Sequence, residues 1–153
     1  MIEISSAEIQ DCDEIIQLQR LAYESEAKLY QDWTIPPLRQ TTAVLQQEFP
    51  QLIILKATHA GKIVGSVRAQ LINGICHIGR LIVHPDFQKQ GIGSALLRKI
   101  EQAFDQAKTY ELFTGSKSES NIRFYQAHGY HMSHIKNISD RLELIYLSKT
   151  NKL

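Results

Sequence analysis

Apolar and polar positions change period several times along the 153-residue chain, and each change marks a new element. Met1–Ser5 alternates and predicts a short strand. Ile9, Cys12, Ile15, Ile16, Leu18 and Ala22 recur at helical spacing and predict a helix running on towards Tyr30. Ser5-x-x-Glu8 has the form of a capping box for it, and Asp11 offers a second start. Trp33-Thr-Ile-Pro36-Pro37 is expected to break that helix, because proline lacks an N–H and restricts its neighbour. Leu38, Val44, Leu45 and Phe49 predict a second helix, with Thr41 or Thr42 near its start.

From residue 51 the period falls to two. Gln51–His59 reads as a strand, Ala60-Gly61-Lys62 as a turn, and Ile63, Gly65, Val67, Ala69 and Leu71 as one face of the next strand. Asn73-Gly74 is a strong hairpin turn, since both residues tolerate positive φ. Ile75–His84 is a third strand, and Gly79 inside it marks a bulge or a close backbone approach. Ala95, Leu96, Leu97, Ile100, Ala103, Phe104 and Ala107 line one face of the clearest helix. Tyr110–Thr114 is a short strand. A helix starting at Ser118 or Ser120 runs through Ala127 and stops at Gly129, and Tyr130–His134 and Arg141–Ser148 are final strands. This order predicts the α+β class: a mixed, mostly antiparallel sheet of about six to seven strands flanked by about four helices. No linker or repeat divides the chain, so residues 1–153 read as a single domain.

Composition narrows the function. The chain is 43% hydrophobic and 22% charged, an ordinary folded balance. Seventeen Lys and Arg against sixteen Asp and Glu leave a net charge of +1, without the basic footprint of a nucleic-acid binder. No apolar run reaches the ~18–20 residues of a membrane span and the first residues lack a signal-peptide pattern, so a cytoplasmic location is expected. Cys12 and Cys76 show no CxxC spacing and are expected to be reduced and buried; Cys76 lacks a placed base to act as nucleophile. His128, His131 and His134 straddle a helix stop and a strand, so no metal site is expected from them.

The candidate chemistry lies in His84-Pro-Asp-Phe-Gln88-Lys-Gln-Gly91-Ile-Gly93, between a strand and the strongest helix. Two glycines let main-chain N–H groups converge at a helix N-terminus, which makes a phosphate site. A P-loop would need Lys-Ser/Thr after the last glycine, and Ser94-Ala95 stands there. A dinucleotide fingerprint would need Gly or Ala at position 96, which is Leu96, after a βαβ unit that is also missing. What remains is Gln-x-x-Gly-x-Gly.

Leu81-Ile-Val-His-Pro-x-x-Gln88-x-x-Gly91-x-Gly93 resembles the acetyl-CoA signature of the GNAT superfamily of N-acetyltransferases. Asn121-Ile-Arg-Phe-Tyr125-Gln-Ala-His-Gly129-Tyr130 is similar to its second signature, about thirty residues on, and the element order matches from Met1 to Ser148. The resemblance implies transfer of acetyl from acetyl-CoA, without a metal, to a primary amine of a small molecule, peptide or protein. Main-chain groups of Gln90, Gly91, Ile92, Gly93 and Ser94 would hold the pyrophosphate, Gln88 would brace the loop, and Lys89 would meet phosphate or stay a surface charge. Leu81, Ile82 and Val83 would bond pantetheine like another strand, and an N–H there would polarise the thioester carbonyl. Asn121 would touch the cofactor arm or cap its helix. Tyr125 would protonate the leaving thiolate, or is core. Where many relatives carry a glutamate base, this chain has His77, an imidazole that either takes the proton or merely packs.

The acceptor would lie under the first helices, walled by Tyr23, Tyr30, Trp33 and Phe49, with Glu24, Glu26 or Asp32 to meet a cationic amine. A non-catalytic acyl-CoA-binding module is the alternative reading, and a homodimer is left open.

Overall fold

The computed structural model describes residues 1–152. Its strands are β1 (Glu3–Ser6), β2 (Ile53–His59), β3 (Lys62–Ile72), β4 (Ile75–Val83), β5 (Thr109–Gly115), β6 (His131–Asn137) and β7 (Glu143–Thr150). Its helices are α1 (Cys12–Ala22), α2 (Glu24–Tyr30), α3 (Pro36–Arg39), α4 (Thr42–Glu48), α5 (Ile92–Ala103) and α6 (Glu119–Ala127). The strands form one sheet in the order β1-β2-β3-β4-β5-β7-β6. Every neighbouring pair is antiparallel except β4 and β5, so the sheet is mixed and mostly antiparallel, as the pattern predicts.

Two cores cover the two faces. On one face α5 and α6 pack over β2–β5 and β7 through Val64, Val67, Leu96, Leu97, Ile100 and Leu112. On the other, α1 and α4 bury Ile15, Ile16, Leu18 and Leu45 against Ile54, Ile63 and Ile82. Leu96, Leu97 and Ile100 are fully buried, each contributing roughly 1.5–3 kcal/mol. A Cβ on Gly65 would stand 3.0 Å from Leu96 and 3.1 Å from Ile92. That glycine lets the first turn of α5 lie directly on β3, which fixes where the helix begins.

Several boundaries differ from the sequence pattern, for local reasons. The first helical run does reach Tyr30, but in two pieces joined at Tyr23, and it ends at Gln31 in the left-handed region (φ 52°). Pro36 and Pro37 are therefore not its breaker. They open α3, where a missing N–H leaves no helical bond unmade. Ser5 lies in β1 opposite Lys56, so the cap falls one turn later, with the Glu8 N–H donating to the Asp11 carboxylate at 2.8 Å. Burial opposes the charge of Asp11, yet that N–H and the Lys56 ammonium hold its carboxyl below the usual value. Thr41 caps α4 by accepting from the Val44 N–H at 3.2 Å. The Asn73-Gly74 turn has φ of 52° and 83°, as a tight hairpin requires. Tyr130 sits before β6 and belongs to the core, where its hydroxyl donates to Glu101 at 2.7 Å.

Candidate active site

The parallel pair is short. Ile75, Cys76 and His77 pair with Thr109, Tyr110 and Glu111, and beyond them β4 and β5 have no register partners in each other. The two strands part, and the gap is a cavity of about 360 Å³. Ile78–Val83 form one wall and Leu112–Gly115 the other; Tyr23, Glu26 and Tyr30 come from the helices above, and Gln88, Asn121 and Tyr125 complete the lining. On its far side β4 stays bonded to β3, with Ile82 opposite Ser66 and Val83 opposite Gly65. The edge of β4 towards the cavity is thus free of a strand partner.

The kink sits one residue beyond the predicted Gly79. Arg68 pairs with Gly79 and Ser66 with Ile82, so Val67 alone spans Arg80 and Leu81. Arg80 takes a left-handed φ of 50°. The extra residue reverses which side chains face which core: Cys76 and Ile78 belong to the α5 face, whereas Ile82 belongs to the α1 face. Side chains of Ile82 and Ile92 are 4% exposed and serve the cores, so these two residues offer only main chain to a ligand.

At the far end, Gly91 precedes α5 with a φ of 83° and no side-chain cap. The first intrahelical N–H there is that of Ala95, bonded to the Gly91 carbonyl at 3.0 Å. The N–H groups of Ile92, Gly93 and Ser94 have no earlier carbonyl in the helix and form the positive end of its dipole. A Cβ on Gly79 or Gly91 would meet no protein atom within 4 Å, and one on Gly93 only ordinary contacts with Phe124 and Val83. The protein's own packing does not fill this backbone cradle. Gln88, Lys89 and Gln90 are exposed on the loop, with Lys89 at a φ of 63°.

Tyr125 is 9% exposed and lines the cavity. Its ring meets Phe124 and Tyr130 edge-on. Burial drives its phenol pKa far up, and nearby Tyr23 and Glu26 add to the shift, so the group keeps its proton. Asn121 is not a helix cap. Its amide donates to Glu26 at 3.3 Å and to Thr114 at 3.2 Å.

Those bonds belong to a network that joins α2 to α6. The Lys117 N–H donates to the Tyr30 hydroxyl (2.9 Å), Tyr30 and Ser118 are 2.8 Å apart, and Ser118 donates to Glu26 at 2.7 Å. Gly115 makes room for it, since a Cβ there would stand 1.8 Å from the Tyr30 hydroxyl oxygen. Sequence reading names Tyr30 and Glu26 but not Gly115 or this use of Ser118; a glycine ending a strand just before a helix is the only local signal.

His77 stands apart from these groups. It is 3.5 Å from Glu111 across the parallel pair and lines a second recess of about 290 Å³, which shares Ile78, Gly79, Arg80 and Phe113 with the main cavity. Trp33 and Phe49 do not line the cavity, and Asp32 is occupied by Thr34. Cys12 and Cys76 are free and buried; burial, then Glu101, pushes the Cys76 thiol up to about 12, which leaves it protonated and inert. His128 packs on Phe124 and His134 on Tyr146. No helix among the described residues is long and apolar enough to cross a membrane, and no group of three or more His, Cys, Asp or Glu among them could hold a metal.

The fold recurs in known structures. The ribosomal-protein-S18-alanine N-acetyltransferase of Escherichia coli superposes with a TM-score of 0.83 at 19% identity, over 100% of this chain and 96% of that one. The PaiA N-acetyltransferase of Thermoplasma acidophilum, in complex with coenzyme A, gives 0.80 at 16% identity over 98% and 99%. UPF0157 protein YqkA of Bacillus subtilis (strain 168) is 26% identical over 117 residues, 76% of this chain, which spans only 34% of that relative's length. The acetyltransferase (GNAT) family model matches residues 12–130, which include the parted strands, the glycine loop and the Tyr125 helix; the chain belongs to the acetyltransferase (GNAT) family.

Proposed function

We propose that this protein is an acetyl-CoA-dependent N-acetyltransferase that acts on a primary amine by direct attack on the thioester. The observation that carries the reading is the parting of β4 and β5, with a free strand edge at Leu81–Val83, the α5 N-terminus at one end and Tyr125 in its lining. Leu81, Ile82 and Val83 would hold the pantetheine arm through main-chain groups. The N–H groups from Gln90 to Ser94 would hold the pyrophosphate. Acetyl-CoA, once bound, supplies an activated acetyl group and a thiol that leaves as thiolate.

Tyr125 then has a defined task. Its buried phenol retains a proton at neutral pH and donates it from the hydroxyl oxygen to the departing sulfur. Glu26, fixed by Ser118 and Asn121, places negative charge in the same cavity and attracts a cationic amine. His77, backed by Glu111, takes the amine's proton from the side of the second recess.

Calorimetry with acetyl-CoA, followed by thiol release with a panel of amines, tests the reading. Tyr125→Phe should keep acetyl-CoA affinity and lower turnover on the order of ten- to a thousandfold. His77→Gln should lose rate most at neutral pH and less at high pH, where free amine is abundant. Absence of acetyl-CoA binding would remove the assignment. Full activity of Tyr125→Phe would return that residue to the core.

A further inference from the structure

Two arginines beside the parting of the strands have no counter-ion. Arg68, on β3, is 7% exposed. Arg80 follows its register partner Gly79 and lies in the bulge. The Nε atoms of both are buried without a hydrogen-bond partner. Arg68 is braced by neutral amides: it donates to the side-chain oxygens of Gln19 and, at 3.3 Å, Gln40, while Gln19 itself donates to Gln40 and to the Pro37 carbonyl at 2.9 Å each. The ion pairs among the described residues are Lys56–Asp11, His77–Glu111, His84–Asp86, Arg123–Glu119 and Lys149–Glu101, so neither arginine has a carboxylate within 4.0 Å.

A buried cation without an anion is costly, and the half-buried Arg80 nearby adds to the cost for Arg68. Burial, and then the charge of Arg80, lowers the Arg68 guanidinium to about 10. The nearby carboxylates are engaged elsewhere. Glu48 is exposed at the rim and accepts from Gln40, Glu111 faces His77, and Glu26 accepts from Ser118 and Asn121. Both arginines line the second recess, and Arg80 also lines the main cavity. An anion entering the recess would therefore meet two guanidinium groups that no carboxylate neutralises, Arg80 having the Tyr23 phenol beside it, while its remainder stayed in the cavity. The α5 N-terminus, where pyrophosphate is proposed to bind, follows β4 twelve residues after Arg80, at the other end of the parting.

We propose that Arg68 and Arg80 form the carboxylate pocket of the acceptor site, and that the acceptor is a small amine carrying a carboxylate, of the amino-acid class. The planar guanidinium fork of Arg80 suits a carboxylate, which it can bond through two parallel N–H groups. The acceptor's amine then lies where the recess opens into the main cavity at Gly79 and Phe113, with His77 on the recess side and Glu26 and Tyr125 on the cavity side. This inference deepens the acetyl-transfer reading and rests on it.

The test uses pairs of amines that differ only in that group: glycine, β-alanine, aspartate, glutamate and phenylalanine as free acids and as carboxamides. With the wild-type chain, thiol release should give kcat/KM at least tenfold higher for the preferred acid than for its amide. Calorimetry should show that acid binding when CoA is present. Arg80→Gln should bring the acid-to-amide ratio close to one with acetyl-CoA affinity changed less than twofold, and Arg80→Lys should restore part of the preference by returning the charge. Amides matching acids, acids that give no heat with CoA bound, or an unaltered ratio in Arg80→Gln would each overturn the proposal. Acetyl-CoA binding in the same wild-type sample separates the two readings: if it is absent, acetyl transfer itself fails; if it is present while amides match acids, only the acidic acceptor fails.

Discussion

Two kinds of group surround the parting between β4 and β5, and they are built on different principles. At the loop end the candidate ligand groups are main-chain N–H donors, held by a left-handed Gly91 and the first turn of α5. Under α1 and α2 they are side chains drawn from distant segments: Tyr30 and Ser118 are 88 residues apart, and Arg68 and Gln19 are 49 apart. A main-chain site needs little beyond glycine where a Cβ would intrude, so neighbouring residues specify it. A side-chain site depends on every element that carries one of its members. It should therefore be the more sensitive of the two to changes in packing, and the less sensitive to changes in the loop.

The largest effect is expected from Gly115→Ala. The new Cβ would stand 1.8 Å from the Tyr30 hydroxyl oxygen and 2.3 Å from its Cζ, so the ring must leave its place and lose its bonds. Urea unfolding should show a loss of about 3 kcal/mol, the upper part of the usual overpacking range. Acceptor KM should rise far more than acetyl-CoA Kd. If both constants move together, the cradle and the side-chain network are not separable.

Gly91→Val attacks the main-chain cradle instead. A β-branched residue at φ 83° strains the backbone by roughly 1–2 kcal/mol, and acetyl-CoA Kd by calorimetry should rise at least tenfold. Gly93→Ala sharpens the point, because its Cβ would lie 3.6 Å from Phe124 and 3.8 Å from Val83, distances the fold accepts. Its unfolding midpoint should hardly move while acetyl-CoA binding weakens; equal affinity would remove Gly93 from the cradle.

A smaller change is expected from Ser118→Ala, which deletes the hydroxyl between Tyr30 and Glu26. The cost should be about 1–2 kcal/mol, as for other buried hydrogen bonds left half-made, with loop-end affinity intact. The mildest probe is pH. Burial is the first cause raising the phenols of Tyr23, Tyr30, Tyr110, Tyr125 and Tyr130 above their usual 10. Unfolded, these groups release protons near pH 10, whereas the native chain keeps them. Their contribution to stability is thus whole below pH 10 and is lost as pH rises beyond it. The urea midpoint should fall from pH 10 upward, and Tyr125→Phe should make that fall shallower; a midpoint independent of pH there would contradict the burial of these hydroxyls.

Much of this architecture was legible along the chain. Hydrophobic period placed β2, β3, β4 and α5, and Asn73-Gly74 placed the hairpin, because these signals are local and repeat over several residues. The glycine loop was legible for the same reason. The misplaced features turn on contacts or on single backbone angles. Pro36-Pro37 has one meaning inside a helix and another at its first turn, and Gln31 had already ended α2. Tyr130 reads locally as the first residue of a strand, yet it lies in the core with its hydroxyl on Glu101. Periodicity and glycine act over a few neighbours, so the class of fold and the main-chain cradle follow from the order of residues alone. Where β4 and β5 part, that Gly115 admits Tyr30, and that Arg68 and Arg80 line one recess without a carboxylate emerge only on folding, because burial and pairing depend on residues tens of positions away.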